Sequence, residues 1–476
     1  MNASTTESPA PDFTADEEQE AKSALNKLSV LNGYAEIFSV FEGETLNVRV
    51  ARKPAALLWQ RPVHVRKIEI RDAVTGALVA THKPAEPAQI LEQEPAGYRD
   101  AGAAYECRIA MDTSGWPPAV YECVVRDTAG NKSEDIFFNV KPRSIDGYDI
   151  LCILPSFTWQ AYNRVGGGSF YSDHLGLKRT ISTLRPLCRK GDNGIDASLA
   201  FLAAFAEDKV KFACVDSWDL HRDAMPEGRV PVMALLTHDE YWSAEMRVQI
   251  NRYLRRHGVL LIMAGNVCWW RVETEGDNVT VNKEHTAQGS RWSLSGTPEE
   301  KTFLSSYRFG GYGLDHAKRK KSVAKFVLKL SQDEIRAAGA VTVVKPDHPI
   351  FAGVTLGPGN TFGGEVPIVY REVDGIPLAK DGRVDRQWYD ADEIEPEIIA
   401  TGLTATYLRY APIERVGVIA EAHVRRGYVV HMGSFGWSLG LVQKNAAVKR
   451  VVLNAYRYCR GIAAERRRFR LKDEPE

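Results

Sequence analysis

Four short runs constrain this chain more than any other feature: YDILCILP (Tyr148–Pro155), VPVMALLT (Val230–Thr237), GVLLIMAG (Gly258–Gly265) and GYVVHMGS (Gly427–Ser434). Each is apolar without a break, where a strand with one wet face would alternate. Continuous runs of this length belong to strands covered on both faces, as in parallel sheets. Helical segments lie between them. DASLAFLAAFAE (Asp196–Glu207) opens on an Asp able to cap it. SAEMRVQINRYLRRH (Ser243–His257) has Ser243 at the cap position, Glu245 at its positive end, Arg255, Arg256 and His257 at its negative end, and Gly258 after it. This alternation predicts an α/β domain built on a doubly wound, mostly parallel sheet.

Upstream the texture differs. From Ser29 to Arg143, short alternating runs such as ETLNVRVAR, VHVRKIEIRDA and AVYECVVRD are separated by turn signals such as DAVTG and DTAGNKS. Such spacing predicts an all-β sandwich of immunoglobulin-like or fibronectin-like kind. Residues 1–28 are polar and acidic and read as a disordered or loosely docked tail. A chain of 476 residues exceeds a single core. The expected division is therefore 1–28 tail, 29–143 sandwich and 144–476 α/β domain. Gly289–Leu330 and Pro346–Leu403 read as irregular insertions over one face. A terminal helix is expected over about Gln443–Arg460, followed by a solvated basic end.

Charge excludes one class of partner. The 61 basic residues balance 61 acidic ones, so no electrostatic footprint for nucleic acid exists. No apolar run approaches the roughly 18 to 20 residues that cross a bilayer, so no membrane partner is expected. The first residues carry no secretory pattern. Seven cysteines without a C-x-x-C suit a reduced, cytoplasmic chain.

In open α/β sheets ligands bind beyond the carboxyl ends of the strands. There the four runs give way to SFTWQAYNRVGGGSFYSDH, HDEYW, NVCWWR and FGWS. Charge directly after a buried strand is costly unless paired or bound. If strand geometry persists through THDEY, His238 and Glu240 share one side, and Asp239 and Tyr241 take the other and hold the turn. From the residues alone, Glu240 either meets a ligand or pairs with an arginine, and His238 either faces a ligand or is satisfied in the core. No G-x-S-x-G elbow, phosphate loop or tight His cluster for zinc is present.

TWQAYN (Thr158–Asn163), GGSFYSDH (Gly167–His174), LRP (Leu184–Pro186), HDEYWS (His238–Ser243), AGNVCWWR (Ala264–Arg271) and GSFGWSLGL (Gly433–Leu441) carry a resemblance in order and spacing. Over roughly Tyr148–Arg460 the chain resembles the C-terminal domain of the N,N-dimethylformamidase large (beta) subunit family. The resemblance implies a class I glutamine amidotransferase-like fold and hydrolysis of a small amide at a mononuclear ferric iron. The implied ligands are Tyr162, Tyr171 and Glu240. His238 and Asn266 match pocket positions beside the metal, and Lys283 in TVNK matches a pocket lysine. The implied catalytic glutamate is Glu372 in YREVDG, with Glu365 in GGEV as the alternative. Trp159, Trp242, Trp269 and Trp270 would make the pocket small and dry. The chain is shorter than the known large subunit, which leaves a small partner subunit and a homo-oligomer open.

The implied chemistry is coherent. Phenolates and a carboxylate are hard donors that favour a ferric ion, and a metal in such a site polarises a carbonyl and acidifies bound water. Two rival readings stand beside it. One is a non-catalytic α/β plus sandwich protein that binds a saccharide or protein partner. The other is a metal-free amidotransferase-like hydrolase, for which no Cys sits at an elbow.

Overall fold

The computed structural model describes residues 29–54, 62–93, 97–187, 194–284, 289–312, 339–370, 372–389, 394–405 and 413–473. The tail expected over 1–28 lies outside them. The first part of the chain folds into two sheets that share one core. Leu31–Ala35, Thr45–Arg52 and Cys107–Asp112 form the smaller sheet; Ser39–Phe41, Ile136–Lys141, Ala119–Asp127, Val63–Asp72 and Leu78–His82 run through the larger. Alternation does the sorting. In Cys107–Asp112 every second residue is buried, so Ile109 and Met111 meet Ile68, Val125 and Phe138 across the sandwich.

The second part is organised by a nine-stranded sheet, ordered Phe212–Asp216, Ile150–Leu154, Val232–His238, Val259–Gly265, Gly427–His431, Ile413–Val424, Glu397–Ala405, Val341–Val343, Thr361–Phe362. The four continuous apolar runs lie side by side within it. The first five strands are parallel to one another, and every later pairing is antiparallel.

This corrects the expected fold class. The sheet is mixed rather than mostly parallel. Strands make up 37% of the structure against 23% helix, and no doubly wound, amidotransferase-like α/β fold is found. The physical reason lies at Arg425–Arg426. Only those two residues join Ile413–Val424 to Gly427–His431, and so short a link permits a hairpin but not the dozen-residue crossover that a parallel neighbour requires. The expected irregular insertions also supply strands, among them Thr361–Phe362 and Glu372–Gly375. The terminal helix runs over Ala446–Asp473, beyond the expected end and through the basic stretch.

The sandwich docks on the edge strand of the large sheet. The Asn139 amide donates to the Cys214 carbonyl oxygen (2.7 Å). The buried Lys141 ammonium pairs with Asp219 and donates to the Ala224 carbonyl oxygen at 2.8 Å. A cleft of about 250 Å³ remains at this seam, lined by Phe38, Lys141, Gln160 and Trp218 among others.

Candidate functional site

The strand Val232–His238 feeds the site, but its alternation ends early. Thr237 has a φ of 66°, a left-handed value that turns the chain before HDEYW. The turned backbone is then caught from outside. The Glu240 and Tyr241 N–H groups both donate to the Thr158 hydroxyl, at 2.9 and 3.3 Å. Thr158 belongs to the short helix Ser156–Tyr162, which is fixed by Ser156 Oγ donating to Asp216 (2.7 Å) and by Ser217 Oγ accepting from the Phe157 N–H (3.2 Å). Residues four apart share a helix face. Thr158 therefore holds the backbone of Glu240 while Tyr162 meets its side chain.

The loop after this helix carries Tyr171. Its organiser is Arg185 of the LRP stretch, fully buried. The guanidinium donates to the carbonyl oxygens of Gln160 (2.7 Å), Val165 (2.8 Å) and Gly168 (2.8 Å), so one planar fork ties the helix end to the glycine run. Gly166 has a φ of 93° and no room for a side chain, because a Cβ there would stand 2.6 Å from the Tyr98 ring of the sandwich domain. The folded loop lays the Tyr171 ring on that of Tyr162, with centroids 4.4 Å apart.

Three oxygen-bearing groups thereby converge. The Tyr162 hydroxyl donates to Glu240 Oε2 at 2.8 Å, the Tyr171 hydroxyl reaches both Glu240 oxygens at 2.8 and 3.0 Å, and the two hydroxyls are 2.7 Å apart. Among the described residues no three His, Cys, Asp or Glu side chains form a metal-holding group, so a metal at this place depends on the tyrosines.

Two flanks complete the site. On one, His238 Nε2 lies 3.4 Å from Glu240 Oε2 and 3.4 Å from Asn266 Nδ2, and the Asn266 amide donates to Glu372 Oε2 at 3.2 Å. Asn266 sits in a left-handed turn, φ 56°, whose backbone is pinned from the strand that bears Glu372: the Asp374 carboxylate accepts from the Asn266 and Val267 N–H groups at 2.8 and 3.0 Å. That strand passes so close that a Cβ on Gly265 would stand 2.0 Å from the Glu372 carbonyl oxygen. On the other flank, Lys283 Nζ donates to the Tyr241 hydroxyl at 2.6 Å and stands 3.7 Å over the Tyr171 ring, while Tyr241 donates to the Tyr171 hydroxyl at 3.0 Å.

Burial sets the electrostatics. It raises the Tyr162 and Tyr171 phenols well above their ordinary value, with the Glu240 charge adding to the effect. Burial would also raise Glu240, yet the hydrogen bond and charge of His238 and the charge of Lys283 outweigh it and hold Glu240 below its usual range. Burial works against charge on His238, but Glu240 and Glu372 lift it above its ordinary value. Burial and the Glu240 charge push Glu372 up to about 7, against the pull of His238. Desolvation lowers Lys283 to about 8. The arrangement joins a carboxylate and two neutral phenols to a second carboxyl poised near neutrality.

The structure thus brings together Tyr162, Tyr171, Glu240, His238, Asn266, Lys283 and Glu372. Trp270 adjoins them, with Lys283 Nζ 5.2 Å from its ring. Glu365 is apart, in an exposed turn. Trp242 is fully buried, gives its indole N–H to the Asp239 carbonyl oxygen and packs edge-on against Phe303. Trp159 belongs to a different core cluster from the two tyrosines and packs against Phe38 of the sandwich. Trp269 packs on Tyr307. Sequence reasoning set Tyr241 aside as a turn residue; its hydroxyl joins the site because the alternation fails at Thr237. Asp374 and Arg185 were also missed as organisers. Both stood inside quoted stretches, Arg185 in LRP and Asp374 in YREVDG.

A family model described as N,N-dimethylformamidase beta subunit-like, C-terminal, matches residues 63–449. The match spans most of the chain, and the chain belongs to that family. It begins within the sandwich, upstream of the Tyr148 limit read from the motifs. No curated protein matches the chain. Among solved structures, a DUF3244 family protein with an immunoglobulin-like beta-sandwich fold from Bacteroides vulgatus ATCC 8482 is similar at 16% identity and a TM-score of 0.12, covering 24% of this chain and 95% of that one. A superoxide reductase (neelaredoxin) from Ignicoccus hospitalis is similar at 13% identity and a TM-score of 0.16, covering 27% and 93%. At such scores neither bears on the fold.

Proposed function

We propose that this member of the N,N-dimethylformamidase beta subunit-like family is a hydrolase that cleaves the C–N bond of a small amide at a ferric centre held by Tyr162, Tyr171 and Glu240. The observation that carries the reading is the convergence of three hard oxygen donors, from three separate segments, within 3.0 Å of one another. The donor set fits the metal. Phenolate and carboxylate oxygens suit a small, highly charged cation. The protons that now bridge them are those such a cation displaces.

When bound, the ion would supply a Lewis acid for the amide carbonyl and acidify a water. The remaining steps fall to the chain's own groups. Glu372, raised to about 7, is matched to take a proton from water and return it to the leaving amine near neutral pH. Asn266 orients that carboxyl through its 3.2 Å hydrogen bond. His238, on the same flank, is placed to donate a hydrogen bond to a developing oxyanion, a contribution of about 2.7–4 kcal/mol where one such donor has been removed. Trp270 and the stacked tyrosines restrict water around an uncharged substrate.

Iron analysis and an absorption spectrum of the purified protein test the reading, together with amine release from a panel of small N-alkyl amides. Iron and a visible tyrosinate-to-iron band are expected, and both are lost in Tyr162→Phe and in Glu240→Ala. Protein that takes up no iron, or keeps it in both variants, refutes it. The six described cysteines are all free and buried, and no described helix is long and apolar enough to cross a membrane. The free thiols support a reducing compartment such as the cytoplasm.

A further inference from the structure

We infer that Tyr241, held by Lys283, makes the two tyrosine ligands unequal: it donates a hydrogen bond to the Tyr171 oxygen and weakens that oxygen as a metal donor, leaving Tyr162 the stronger. The inference rests on the ferric centre proposed above and goes beyond it, because Tyr241 is no ligand.

The direction of the hydrogen bond follows from its partners. An ammonium has donors and no acceptor. At 2.6 Å from Lys283 Nζ, the Tyr241 oxygen must accept. Its single O–H is then left for the Tyr171 oxygen, 3.0 Å away. Tyr241 is fully buried, so water does not compete for that proton. Lys283 acts on the same ring a second way, standing 3.7 Å from the Tyr171 centroid, where a cation draws on the π electrons.

Tyr162 is treated differently. Its hydroxyl meets only Tyr171 and Glu240 among the described residues. Once a cation replaces the phenolic protons, Tyr171 retains a donor and Tyr162 has none. A hydrogen bond to a phenolate lowers the energy of its filled orbitals. The Tyr171 oxygen therefore gives less charge to the metal, and more Lewis acidity remains for a carbonyl. Low local dielectric makes such a bond count for more than it would in water.

The test is the charge-transfer band of iron-loaded wild type, Tyr241→Phe and Lys283→Met, each with its iron content measured. Tyr241→Phe removes the donor, so the band moves to longer wavelength with iron content unchanged. Lys283→Met frees the Tyr241 proton to point elsewhere and moves the band the same way. A Tyr241→Phe protein that binds iron with its band unmoved overturns the inference and leaves the ferric centre standing. If Tyr241→Phe does not fold, Lys283→Met decides: a shift to longer wavelength supports the inference, and an unmoved band overturns it. A wild type that takes up iron without colour, or takes up none, overturns the tyrosine-ligated centre and this inference with it. A purely packing role for Tyr241 would lower stability without moving the band.

Discussion

Asp374 is the residue on which the Asn266–Glu372 flank hangs, and its removal has a size the structure fixes. The side chain is fully buried. One oxygen accepts from the Asn266 N–H at 2.8 Å, the other from the Val267 N–H at 3.0 Å, and His431 Nε2 lies 3.3 Å from the second. Hydrogen bonds to an ionised acceptor are worth about 1.5–3 kcal/mol each, so Asp374→Ala, which loses both, costs about 3–6 kcal/mol. Asp374→Asn keeps one acceptor oxygen and costs about half as much. Against a typical folding stability of about 5–15 kcal/mol, the Ala variant is marginal. Urea unfolding measures this: the midpoint falls in the order wild type, Asn, Ala, with the slope unchanged. Hydrogen exchange at the Asn266 and Val267 amides rises in the same order. The proposed amide hydrolysis should drop already in the Asn variant, because a loosened turn releases the Asn266 amide from Glu372. A loss below about 0.5 kcal/mol in Asp374→Ala, the range of an ordinary surface substitution, would refute the reasoning.

Two further perturbations separate position from chemistry. In Gly265→Ala the new methyl stands 2.0 Å from the Glu372 carbonyl oxygen, so the strand must move; hydrolysis should be lost while iron is retained, and a wild-type rate would contradict the close approach. Glu299, fully buried, gives a pH signature. Burial first, and then Glu300, raise it to about 8, against Ser306 and Arg308. The folded chain therefore holds a proton that the unfolded chain has released above about 4.5, and stability falls as pH rises from there towards about 8. Glu299→Gln should flatten that fall, read from denaturation midpoints at about pH 5 and about pH 8; equal losses in variant and wild type would show that Glu299 is not its source.

Four of the five parallel strands were legible because burial on both faces writes itself into continuous apolar runs; the edge strand Phe212–Asp216 was not read. Nor was the antiparallel half. Glu397–Ala405 and Ile413–Val424 pair with shifts of register, and the four residues of Glu372–Gly375 are too few to show a period. The grouping of Tyr162, Tyr171 and Glu240, which the structure brings together, was expected through a resemblance rather than through pattern. The resemblance put Glu372 first with Glu365 as the alternative, and the fold sets a half-buried carboxyl at 372 against an exposed one at 365. The tryptophans show the complementary limit: a large aromatic beside a motif is buried either way, and the sequence does not say on which side of the sheet. For Tyr241 the error came from extending strand alternation across Thr237, whose left-handed φ breaks the alternation although pairing runs on to His238.

The corrected topology explains why the site is where it is. Tyr162, Tyr171 and Glu240 lie beyond the carboxyl ends of Ile150–Leu154 and Val232–His238, and Asn266 follows Val259–Gly265; all three strands belong to the parallel half. Glu372 comes from elsewhere. Its strand bridges to Ser434 through Val373 and to Ser306 through Gly375, and the next residue, Ile376, bridges to Gly417 of the antiparallel half. The chain returning from that half is thus what carries Glu372 over the ends of the parallel strands, and Gly265 is what lets it pass. Parallel strands alone would assemble the three oxygen donors without the carboxyl proposed to move protons. By this argument the donor set and the acid–base group are separable. A change confined to the Glu372–Gly375 strand should silence hydrolysis and spare the iron, whereas a change in the Thr158 anchor should loosen Glu240 and lower iron affinity.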